Sequence, residues 1–99
     1  MFTLLDGNKI SKELIIETIR ESIEQFNEIR KRKINFSPDM ALIDGNENLD
    51  ETDFNTICIL VEHMLFKKYL ATVILDYYGD DYRDFSTVQE MADYILKQI

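Results

Sequence analysis

The chain has one cysteine and one histidine, only eleven bases against nineteen acids, and no long apolar run. A lone Cys58 excludes an internal disulfide and by itself gives no zinc site. Cys58 and His63 are the only thiol and imidazole available for a nucleophile-base pair. Five residues apart on one helix, they would point about 140° away from each other. No glycine-rich phosphate loop is present, so an enzyme is not expected. The longest unbroken apolar run, Ile57 to Val61, is far short of the roughly 20 residues that span a bilayer. The N-terminus also lacks the basic and apolar regions of a signal peptide, so a cytoplasmic protein without a membrane partner is expected. The formal charge of -8 repels phosphate backbones, which argues against nucleic acid. It favours a basic patch on another protein, because complementary fields raise the encounter rate.

What the chain does contain is enough apolar sequence for one core. Its 99 residues, 45% of them hydrophobic, predict a single domain over 1–99. Ser11 is a candidate cap for a first helix, in which Ile15, Ile19, Ile23 (or Ser22), Phe26 and Ile29 form an apolar stripe. Glu13, Glu17, Arg20, Glu21, Glu24 and Glu28 lie mostly on the other side. Arg30-Lys31-Arg32-Lys33 at the helix end could be read as a nucleic-acid or membrane patch, but cations there also stabilise the negative end of the helix dipole, and the second reading is preferred in so acidic a chain.

Residues 34–48 form a long connection marked by Ser37-Pro38-Asp39 and Asp44-Gly45-Asn46. Phe36, Met40, Leu42 and Ile43 between those turn signals predict a loop packed on the core and crossing one end of a bundle. Asp50 then caps a second helix, with Glu51 and Asp53 placed where free N–H groups and the positive dipole end favour carboxylates. Phe54, Ile57, Cys58, Val61, Met64 and Leu65 make its core stripe, while Ile59, Leu60 and Phe66 leave it apolar nearly all round. It is either the central helix or one that also meets a partner, which leaves monomer and weak dimer both open. Residues 71–75 suggest a strand-like or short helical piece, followed by a turn at Gly79. Tyr77, Tyr78 and Tyr82 read as aromatics flanking the core rather than as a ligand stack. Ser86-Thr87-Val88-Gln89 fits a capping box opening a last helix, whose face is Val88, Met91, Ala92, Ile95, Leu96 and Ile99.

Three helices, the long loop, and the stretches Ser37-Pro38-Asp39 to Leu42-Ile43 and Thr87-Val88-Gln89 with Asp93-Tyr94-Ile95 together resemble an acyl carrier protein of the small stand-alone bacterial type. The resemblance runs from about Ser11 to Ile99. It implies an all-α, acyl-carrier-like four-helix bundle, with three main helices plus one short or irregular helix. In that family an Asp-Ser-Leu at the head of the second helix carries 4'-phosphopantetheine on the serine, where the phosphodiester meets free N–H groups. Matching Val61-Glu62 to the family's Leu-Glu puts Asp50-Glu51-Thr52 on that motif, and a second register puts Thr52-Asp53-Phe54 there. The first is preferred because it keeps Asp50 and Glu62 without a gap. Neither supplies a serine.

Glu51 then stands at the attachment position, and a carboxylate cannot hold the cofactor as a stable phosphodiester. The resemblance therefore implies a carrier-like binding module without phosphopantetheine, acting by protein docking in an acyl or thioester biosynthetic pathway. Its docking face would be Asp50, Glu51, Asp53, Phe54 and Ile57, read by a basic patch on a carrier-dependent enzyme. The alternative is a genuine carrier modified at an atypical site such as Thr52. A third reading, weak calcium binding by Asp44 to Asp50, lacks the glycine of a calcium loop, since Leu49 stands there, and its closing glutamate, since Asn55 stands there. No metal site is expected.

Overall fold

Ser11 opens the first helix as its spacing predicts. In the computed structural model, which describes residues 10–43, 45–75 and 85–99, its Oγ accepts the Leu14 N–H at 3.2 Å and α1 runs Lys12–Arg30. Ile15, Ile19, Ile23 and Phe26 are fully buried. Ile29 is not: at 55% exposed it corrects the predicted stripe. Its angle suits the stripe, but Phe26 is the last buried residue of α1, and the final turn overshoots the packed surface. Two polar residues lie inside the stripe. Thr18 and Ser22 bond back to the carbonyls of Leu14 and Thr18, both at 2.9 Å, so their burial strands no hydroxyl. On the solvent side Arg20 bridges Glu17 and Glu24.

Lys31 ends α1 in the left-handed region (φ 56°). The chain then crosses to α2, Glu51–Tyr69, through the predicted loop. Leu42 is fully buried, and Ile34, Phe36, Met40 and Ile43 pack against the core from partly exposed positions. The crossing is tied down at two places. The Asn27 side-chain amide exchanges two 2.9 Å hydrogen bonds with the backbone of Ile34. Farther along, Ala41 forms an antiparallel bridge with Thr87, in which Leu42 N–H donates to Ser86 O (2.6 Å) and Val88 N–H to Met40 O (3.0 Å).

That bridge also sets the start of α3, Val88–Leu96. Its cap is Thr87, whose hydroxyl accepts the Glu90 N–H at 3.1 Å, so the capping box predicted from Ser86 is corrected by one residue. Ser86 instead meets the Glu90 carboxylate, and Gln89 donates to Pro38 O. Val88, Met91, Ala92 and Ile95 are buried, whereas Ile99 is 45% exposed.

The central helix is α1, which packs on both α2 and α3. This corrects one branch of the expectation for α2. Residues 71–75 are not helical, and Ala71, Val73 and Leu75 are buried while Thr72 and Ile74 are exposed, the period-2 alternation of a strand. No strand pairs with them among the described residues; the amide of Gln98 takes that role, bonding both N–H and C=O of Ile74 at 2.9 Å. Among the described residues the fold is all-helical with three helices, and no helix is long and apolar enough to cross a membrane. The readings made for Asp44, Tyr77, Tyr78, Gly79 and Tyr82 lie outside the described residues.

Candidate functional site

The head of α2 is built by a reciprocal cap. Asp50 Oδ1 accepts the Asp53 N–H at 2.8 Å, and Asp53 Oδ2 accepts the Asp50 N–H at 3.2 Å, so two of the free donors at the helix start are satisfied by acids. The carboxylates suit the positive end of the dipole as well as the geometry. Asp50, Glu51 and Thr52 project into solvent.

Asp53 does not. It is 8% exposed, and its Oδ2 also receives Arg32 Nη1 at 3.0 Å. The same guanidinium donates through Nη2 to Asn48 O, and its carbon lies 5.8 Å from the centroid of the Phe26 ring. Arg30 adds a second tie, donating to Thr56 Oγ1 at 3.1 Å. Two members of the basic run at the end of α1 are therefore spent on the head of α2. Arg30 lies in the last turn, as the dipole reading expects, but Arg32 reaches a carboxylate on another helix. Sequence reasoning missed this pair, and no local signal marks it.

Phe54 and Ile57 are 1% and 0% exposed, so neither offers a surface to a partner. Phe54 stacks on Phe85 at 5.8 Å between centroids, and Phe85 meets Tyr94 at 4.8 Å. The predicted docking face is thus corrected: Asp53, Phe54 and Ile57 belong to the cap and the core, and its exposed part is Asp50 and Glu51. Asn55, one turn beyond Glu51 on the same side of the helix, has its carbonyl oxygen shielded from solvent with no hydrogen-bond partner among the described residues.

Glu62 holds the far end of segment 71–75, its Oε2 accepting the Leu75 N–H at 2.6 Å. Burial pushes its carboxyl above the ordinary value, and the Leu75 N–H partly opposes that. A folded chain that holds this proton more tightly than the unfolded chain is helped by the group at low pH. That contribution is lost as pH rises from the unfolded value through the folded one. Glu62→Gln keeps an acceptor for Leu75 and removes the charge. Its melting temperature at low micromolar concentration is expected to exceed that of the parent at about pH 7, with the difference vanishing near about pH 4. A variant that melts lower at both values would refute this account of the carboxylate.

Cys58 is fully buried, and burial, with Glu62 second, pushes its thiol well above the ordinary range. His63 is exposed, so the two are not brought together. In the loop before α2, Asn46 Nδ2 donates to Ala41 O at 2.8 Å and Asn46 Oδ1 accepts from Asn48 N–H at 3.0 Å. With Asn48 O taken by Arg32, these oxygens serve the loop's own turns. Among the described residues no group of three or more His, Cys, Asp or Glu is placed to hold a metal ion.

Compared with known proteins, the chain matches no family model, and no similar curated protein or solved structure was found.

Proposed function

We propose that the chain is a non-catalytic, acyl-carrier-like binding module that works without 4'-phosphopantetheine, as one component of an acyl or thioester biosynthetic pathway. The four-helix carrier arrangement is part of this proposal. Asp50 and Glu51 at the head of α2 dock a basic patch on a partner enzyme. The observation that carries the reading is Glu51 itself, exposed at the first position of a 19-residue helix directly after an aspartate cap. A carboxylate there sits against free N–H groups, as the phosphate of a loaded carrier does. A chain charge of -8 suits a cationic partner. The long crossing loop before α2, anchored by Leu42, agrees with the resemblance in order along the chain.

Co-expression with a broad-specificity phosphopantetheinyl transferase, followed by intact mass, tests it. The expected result is an unmodified parent chain and a Glu51→Ser variant that gains one phosphopantetheine. Thr52 is exposed, so the rival reading has a defined signature: a parent chain that gains the group and loses it on Thr52→Ala. A folded Glu51→Ser variant that stays unmodified would remove the carrier likeness altogether.

A further inference from the structure

The side of α2 turned away from α1 carries apolar residues that nothing among the described residues covers. Ile59 is 50% exposed, Phe66 53% and Leu70 62%, and His63 between them is also exposed. Their order, Ile59, His63, Phe66, Leu70, alternates four- and three-residue steps, the spacing of a seam between two helices rather than scattered surface residues. Leu70 adds an independent sign. It caps α2 at φ 56°, where glycine or asparagine is favoured, and so combines backbone strain with an exposed apolar side chain. Neither cost is explained by the packing of the described residues.

We propose that this seam pairs α2 with α2 of a second copy of the chain, in parallel, to form a two-fold dimer. The charges flanking the seam select that occupant and that direction. With Ile59 and Phe66 at the d positions and His63 and Leu70 at a, Glu62 falls at g and Lys67 at the next e. Parallel pairing sets g of one helix against the following e of the other, so Glu62 meets Lys67 of the second copy twice, once on each side of the axis. Antiparallel pairing sets g against g and e against e, so neither Glu62 nor Lys67 gains an opposite charge across the seam. The Glu62 carboxylate is already held on its flank by the Leu75 N–H, which lowers the entropy lost on pairing. Two heptads are short enough that the drift of a straight helix, about 20° per heptad, keeps the seam in register. The dimer face is separate from Glu51, and the inference does not depend on the carrier reading.

Sedimentation velocity on the full chain tests it, together with cross-linking. The parent is expected to be dimeric at roughly 100 μM and to dissociate on dilution. Phe66→Glu is expected to raise the dissociation constant on the order of tenfold or more, with helical content unchanged. Lys67→Glu, which alters only a flanking charge, is expected to weaken the dimer in the same direction. His63→Cys is expected to form a disulfide with its own counterpart under mild oxidation, because parallel pairing sets a against a; the buried Cys58 does not compete. A parent that stays monomeric, a dimer that ignores both Phe66→Glu and Lys67→Glu, or a dimeric His63→Cys variant that fails to cross-link would each overturn the proposal.

Discussion

Phe54→Ala is expected to cost about 3–5 kcal/mol of folding stability, the range for removing a fully buried aromatic ring. Set against a total of about 5–15 kcal/mol for a small domain, that brings the chain to the edge of unfolding at ordinary temperature. The ring is 1% exposed and stacks on Phe85, which in turn meets Tyr94, so the deletion opens a void under the head of α2 and removes the support of two further aromatics. Substituting Glu51 by alanine one turn earlier should change stability by no more than about 0.5 kcal/mol, because the side chain is exposed and makes no cap. Urea unfolding followed by helical circular dichroism compares the two directly. A Phe54→Ala cost below about 1 kcal/mol would mean that the ring is not the packed residue described above, and would return it to the proposed docking face.

The contrast between these two residues shows what the sequence could and could not reveal. Helix starts were legible where one side chain satisfies a nearby N–H, as at Ser11 and Asp50. The third start was displaced because Ser86 and Thr87 are adjacent hydroxyls that can both cap a helix, and the intrinsically weaker cap, Thr87, is the one used. The choice between them accompanies the bridge to Ala41, far away in the chain. Phe54 and Ile57 satisfied two readings at once, a core stripe by periodicity and a docking face by nearness to Glu51, and periodicity prevailed. The all-round apolar character of α2 was visible in Ile59 and Phe66. Which helix occupies the centre was not, since that depends on how α1 meets both others. Residues 71–75 showed their alternation but not the amide of Gln98 that completes their hydrogen bonds. Arg32 was the least legible of all: an ion pair between helices leaves no period, and a run of bases at a helix end already has a local explanation.

Removing either partner of that ion pair is therefore the second large expected effect. Asp53→Ala deletes one half of the reciprocal cap and the ion pair together, and is expected to cost about 2–3 kcal/mol. Arg32→Ala leaves a mostly buried carboxylate with, among the described residues, only the Asp50 N–H as its hydrogen-bond donor, and is expected to cost about 1–3 kcal/mol. That cost falls below the range for a fully buried pair because the Arg32 side chain is 34% exposed and water screens part of the attraction. The double variant should cost less than the sum by about 1 kcal/mol, because the carboxylate stranded by Arg32→Ala is absent from it. Single costs that add to within about 0.3 kcal/mol would show that the two side chains do not act on each other. The same pair bears on the proposed docking, with the opposite sign. Arg32 neutralises Asp53 in cis, so the charge that α2 offers a cationic partner comes from Asp50 and Glu51. Arg32→Ala should then weaken the fold while tightening association with a cationic surface, such as an immobilised basic peptide, at low salt. Asp53→Ala, which frees Arg32, should weaken both. A purely structural role for the pair would move stability alone and leave the two variants alike in binding.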